Sequence, residues 1–236
     1  MTNHRLEHLV LLVTIATLAG CAPLPAEDEA ASPSHLQELA QAGDWNAVAR
    51  AKVRCAESGE VCAQEHATKG DACLRLVIQE PQSASASDGR TRTLLDCAED
   101  SYRKALQMSP SKTAPSRISY HGGLLLTLSE RRNRLDDHAG KDKRERENEK
   151  LLMAAQDARR EVPDSALGYL YGASAHVYRA ALKPDARHRC NDLRQAEAML
   201  ARSPAPPKQL AAEQARIRAL VARELRESRC PAIRRR

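Results

Sequence analysis

Thiols are the residues of this 236-residue chain whose number and placing carry chemistry. There are seven: Cys21, Cys55, Cys62, Cys73, Cys97, Cys190 and Cys230. Cys21 stands apart, because it closes the apolar run Leu9-Val10-Leu11-Leu12-Val13-Thr14-Ile15-Ala16-Thr17-Leu18 through Ala19 and Gly20, with Arg5 ahead of the run. A positive n-region, an apolar h-region of roughly 10 residues and a small-residue cleavage site make the layout of a secretory signal. So short a run cannot cross a bilayer core, which takes about 20 residues. Export places the chain where thiols oxidise, and setting Cys21 aside leaves an even set of six, as a disulfide framework requires.

No other constellation of residues has catalytic spacing. His4 and His8 leave with the signal, and His35, His66, His121, His138, His176 and His188 are scattered singly. His188 and Cys190 would offer two metal ligands, but a disulfide uses up the thiol. The adjacent glycines Gly122 and Gly123 read as a kink or a helix start, not a phosphate cradle, and Asp136-Asp137 as a solvated pair in a charged run. No catalytic residue, metal site or cofactor is expected.

The net charge of +6 is a mild excess. The basic runs Arg131-Arg132-Asn133-Arg134 and Lys141-Asp142-Lys143-Arg144-Glu145-Arg146 lie among acids and read as solvated helix faces with i,i+4 pairs. With no aromatic residues interleaved, neither these nor Arg234-Arg235-Arg236 point to nucleic acid.

The elements that must position the thiols are helical. The chain has no Phe, one Trp and five Tyr, and is rich in Ala, Leu, Arg and Glu, a mixture that favours helices over strands. Residues 22 to 34, with Pro23, Pro25, Pro33 and Glu27-Asp28-Glu29, show no apolar period and read as a flexible tether. Ser34 and Asp44 open the first helical hairpin, turning at Gly43, with Trp45, Val48, Ala49 and Val53 on its second helix. Cys55 near the end of that helix and Cys62 near the start of the next flank the Ser58-Gly59 turn, so antiparallel packing would pair them. A Ser-rich surface loop follows from Glu80, and a fourth helix begins near Thr93. Cys73 and Cys97 then stand within ~3 Å of the same height, which makes them the second pair. A long helix over 114 to 136, a charged helix that returns to the core at Leu151, and an aromatic helix opened by Asp164 or Ser165 come next. Cys190 and Cys230, on a last hairpin turning at Pro204 to Pro207, pair by elimination. That bridge requires the chain to fold back after Leu225.

Leu18-Ala19-Gly20-Cys21 is similar to a bacterial lipobox, in which a peptidase cuts before a Cys whose thiol carries a diacylglycerol. The resemblance implies a covalent lipid on Cys21, and Ala22, where the sorting pattern would otherwise place Asp, implies the outer membrane. Expected boundaries are a signal over 1 to 20, a tether over 21 to 33, and a folded domain over 34 to 236. The helix with Ala98, Tyr102, Ala105 and Pro110 resembles the second helix of a tetratricopeptide repeat, in which small residues admit the partner helix and the ring fills the gap. Leu151, Ala155, Ala158 and Pro163 form a weaker match, and Ala196 with Pro204 a third. The resemblance implies an all-α short solenoid of antiparallel hairpins, and with it a scaffold that meets a periplasmic or outer-membrane protein partner. Tyr169, Tyr171, His176 and Tyr178 are the candidate groove residues. The competing expectation is a ligand binder or enzyme with an inter-helix pocket.

Overall fold

The computed structural model describes residues 35–55, 58–81, 83–111, 115–135 and 139–231. The signal, the tether, Cys21, Asp136-Asp137, His138 and the terminal arginines lie outside the described residues. Among the described residues the fold is all-helical, with α1 His35–Gln41, α2 Trp45–Arg50, α3 Glu60–Gln79, α4 Gly89–Met108, α5 Pro115–Asn133, α6 Lys141–Glu161, α7 Leu167–Leu182, α8 Ala186–Arg202 and α9 Lys208–Glu227. None of these helices is long and apolar enough to cross a membrane.

Each helix packs on its neighbours in sequence, and the odd-numbered helices also pack on one another in turn, α1 on α3, α3 on α5, α5 on α7 and α7 on α9. The even-numbered helices touch one another marginally at most, so they flank a continuous odd row. Small residues set this closeness. Ala98, Ala105, Ala155, Ala158 and Ala196 are fully buried on the even helices. A Cβ on Gly123 would stand 2.1 Å from the Tyr102 ring, and one on Gly168 would stand 2.7 Å from the Ala155 carbonyl oxygen. Tyr102 of α4 thus seats between Gly70 of α3 and Gly123 of α5, donating its hydroxyl to Asp71 at 2.6 Å. Gly122 and Gly123 therefore lie in the middle of α5, and not at a helix start.

Three disulfides staple the described residues: Cys55–Cys62, Cys73–Cys97 and Cys190–Cys230. The first bridge joins α3 to extended chain rather than to a helix. α2 stops at Arg50 because Ala51 turns extended, with ψ of 146°, and Lys69 Nζ holds the Ala51 carbonyl at 2.6 Å. The third bridge is made possible by the end of α9. Arg229 adopts a left-handed φ of 52°, and the N–H groups of Arg229 and Cys230 bond Arg226 and Leu225 carbonyls, each at 3.0 Å. This Schellman closure turns the chain back onto α8. Gly43 does the same for α1 with a φ of 75°, and Asp44 caps α2 through Ala47 N–H at 2.9 Å.

The Ser-rich loop lies at the surface as expected but is anchored at one point: Ala86 is buried, its N–H bonds the Arg134 carbonyl at 2.8 Å, and Arg134 Nη1 bonds the Pro81 carbonyl at 2.9 Å. Arg131, Arg132 and Arg134 are not a solvated face but are buried. Acidic groups and carbonyls supplied by α3, α4 and the loop make this possible, as charges are buried only when paired. Arg131 meets Asp96 at 2.7 Å, and Arg134 meets Glu130 at 3.0 Å and the Val77 carbonyl at 3.0 Å.

Candidate functional site

The chemically richest part of the molecule lies along α5 and α7, where two buried histidines each sit with an arginine of the same helix and a carboxylate of the next. In the first centre α5 supplies Arg117 and His121, one turn apart, and the end of α6 supplies Glu161. Arg117 donates from Nε and Nη2 to Glu161 Oε2 at 2.9 and 2.5 Å and from Nη1 to the Leu106 carbonyl at 2.9 Å. His121 Nε2 lies 3.0 Å from the same carboxylate oxygen. In the second, α7 supplies His176 and Arg179 and α8 supplies Asp192. Arg179 Nε and Nη2 donate to Asp192 Oδ1 at 2.8 and 2.6 Å, and His176 Nδ1 lies 3.1 Å from it.

Environment separates the titrations. Burial pushes His121 below its ordinary value, outweighing the hydrogen bond and charge of Glu161, which act the other way. Burial alone would raise Glu161 and Asp192, but the hydrogen bonds they accept hold both carboxyls below the ordinary range. Beside the first centre, Glu60 of α3 accepts from Ser116, Ser109 and Tyr120 hydroxyls at 2.5, 2.9 and 3.0 Å. The Ser116 bond leads in holding Glu60 low, while burial and Glu60 push Tyr120 up to about 12.

Further along α5 sits Arg132, 2 % exposed, hydrogen-bonded to side-chain amides and a hydroxyl and stacked near a ring. It donates to Asn133 Oδ1 at 3.0 Å, Asn148 Oδ1 at 3.3 Å and Ser174 Oγ at 3.2 Å, and lies 4.8 Å from the Tyr178 ring centroid. Asn148, inside the charged stretch of α6, in turn donates to the Ala175 carbonyl at 3.0 Å. Burial pushes the Arg132 guanidinium down to about 10. These bonds tie α5 to α7 across α6.

The four candidate groove residues do not share one surface. At about 100° per residue, Tyr169 and His176 lie on one side of α7 and Tyr171 and Tyr178 on the opposite side. Tyr171 and His176 are buried, Tyr171 in the core with α5 and α6 and His176 against Asp192. Tyr169 and Tyr178 are half-buried, beside Arg159 and Arg132. Helical periodicity alone does not say which side of an apolar helix faces a neighbour.

Among the described residues the polar partners of the two buried imidazoles are charged groups: Glu161 Oε2 for His121, and Asp192 Oδ1 and Arg179 Nη2 for His176. A shallow cleft opens between the start of α8 and the end of α9, lined by Arg187, His188, Arg194 and Arg229 beside Cys190. Among the described residues one grouping has metal-ligand character: Cys55, Cys62 and His66 offer donor atoms within 4.8 Å of one another. Sequence reasoning passed over His66, although its spacing of four from Cys62 on a helix was there to be read. The chain matches no protein-family model, no curated protein and no solved structure.

Proposed function

We propose that this chain is a lipid-anchored lipoprotein of the bacterial outer membrane whose helical domain, facing the periplasm, acts as a scaffold for an envelope protein complex such as a secretion system, a pilus or outer-membrane and peptidoglycan machinery. The observation that carries this reading is the division of the cysteines: six stand in three bridges, and the seventh, Cys21, directly follows Leu18-Ala19-Gly20 at the end of the apolar run. A disulfide set suits an exported protein. Several acyl chains on Cys21, at about 0.8 kcal/mol per buried CH₂, would hold it on a membrane almost permanently. The row of odd helices flanked by even ones is the packing a short solenoid of tetratricopeptide-like hairpins would have, and such arrays offer extended faces to partners.

The test is fractionation. Wild type should sediment with membranes and yield an N-terminal peptide carrying lipid mass on Cys21, and Cys21→Ala should move the protein to the soluble fraction. Membrane retention of Cys21→Ala would refute the anchor. Crosslinking on the membrane, followed by mass spectrometry, would then identify the scaffold's partner. The second reading, a small-ligand binder, draws on the basic cleft at Arg187, Arg194 and Arg229. Co-purification of a small anion that Arg194→Ala loses, with no protein crosslinked, would favour it.

A further inference from the structure

Cys55, Cys62 and His66 are brought together by a local device. Cys62 and His66 are one turn apart on α3, and Cys55 comes back onto that face from the extended chain after α2. The Cys55 and Cys62 Cα atoms are 5.6 Å apart, and one donor atom from each of the three residues lies within 4.8 Å of the others. Glu65 Oε2 stands 3.8 Å from Cys55 Sγ. Cys55 and His66 are half-exposed, so an ion can reach the group from solvent, whereas Cys73 of the second bridge is fully buried.

We propose that the thiols of Cys55 and Cys62 have two fates, the disulfide and, when reduced, a zinc site completed by the His66 imidazole. Two sulfurs and one imidazole nitrogen are a ligand set zinc takes readily, with Zn–S of about 2.3 Å and Zn–N of about 2.0–2.1 Å. Tetrahedral geometry at those lengths sets the sulfurs ~3.8 Å apart. Breaking the S–S bond permits that spacing with little movement of the backbone. The fourth position falls to water, with the Glu65 carboxylate beside it.

The step balances. A dithiol reductant gives two electrons and two protons to the Cys55–Cys62 bond, forming two thiols and becoming a disulfide itself. Zinc then displaces the two thiol protons and binds the two thiolates. Thiol–disulfide exchange with a small-molecule disulfide, which takes the two electrons and leaves as two thiolates, would re-form the Cys55–Cys62 bond and expel the ion, so oxidation state and occupancy are mutually exclusive at this corner of the fold.

The purified mature chain tests this. After reduction with a dithiol and removal of the reductant, titration with Zn²⁺ should show one tight site, and Co²⁺ should give a thiolate charge-transfer band. Zinc should protect Cys55 and Cys62 from alkylation, read by peptide mapping, but not Cys190 or Cys230. Cys55→Ser with Cys62→Ser should abolish the cobalt band. His66→Ala, at a half-exposed position that leaves all three disulfides able to form, should weaken zinc binding at least tenfold, since even residues that only support metal ligands cost about 10–100-fold. The proposal is overturned if the reduced chain takes up no zinc at micromolar concentration, if protection falls on other cysteines, or if His66→Ala binds zinc as tightly as wild type.

Discussion

The two histidine centres each join a histidine, an arginine and a carboxylate, Glu161 in one and Asp192 in the other, but with opposite exposures. In the α5–α6 centre the arginine is the enclosed partner: the Arg117 side chain is 7 % exposed and the Glu161 side chain 19 %. In the α7–α8 centre the carboxylate is enclosed, with Asp192 at 6 % and Arg179 at 31 %, and Arg179 has a second acid, Glu149, at 3.7 Å. The lesson is that centres built from the same three kinds of charged group need not contribute equally to the fold. What matters is which charge is left in a dry place when its partner goes.

The largest effect should come from Glu161→Ala, which strands Arg117 among α4 carbonyls. It should lower stability by about 3–5 kcal/mol, the usual cost of an uncompensated buried charge, read as a fall in the denaturant midpoint at unchanged slope. Asp192→Ala should cost less, about 1–3 kcal/mol, because water and Glu149 remain for Arg179. Equal losses would show that enclosure of the arginine is not the deciding variable.

Glycine positions on α5 and α7, the helices that carry the two centres, sharpen the contrast. Gly123→Ala drives a methyl into the Tyr102 ring and should cost about 1–3 kcal/mol, with part recovered by Tyr102→Leu in the same chain. Gly168→Ala meets the Ala155 backbone carbonyl instead, and no side-chain change should rescue it. Melting temperatures of the single and double variants would decide.

Acid should weaken the first centre by a route of its own. His121 and His66 have folded values below their ordinary 6.5, so the unfolded chain takes up protons first as pH falls through that range. Stability is full above about 6.5 and declines below it until the lower folded values are reached. Glu60, Glu161 and Asp192, held low in the fold, add a further loss only below their ordinary values of 4.5, 4.5 and 3.8. Denaturant midpoints at pH 7.5 and 5.5 should therefore differ, and His121→Gln should narrow the gap. An unchanged gap would remove His121 from the account. The smallest effect belongs to the cap of α9. Arg229→Gly relieves a left-handed arginine and should stabilise by up to about 1 kcal/mol, visible as a small rise in melting temperature.

How much of this was legible depends on range. Helix class, the Gly43 stop, the Asp44 cap and the burial of Ala98, Tyr102, Ala105 and Ala155 follow from local spacing, because helix geometry fixes which residues share a face. The start of α4 at Gly89 rather than Thr93, and the docking of the Ser-rich loop, did not, because Arg134 reaches that loop from 48 positions away or more in sequence. The buried arginines were missed for the same reason. Charge runs look alike whether water or a distant carboxylate faces them.

Local chemistry in the sequence determined that the described residues are helical and where several of their helices turn, as at Gly43 and Asp44. The tertiary structure decided that α7 buries His176 against α8 and that α5 carries its arginines inward. The physical reason is that turns and faces depend on neighbours within about one helical turn. The partner of a buried charge is chosen by packing between helices far apart in the chain.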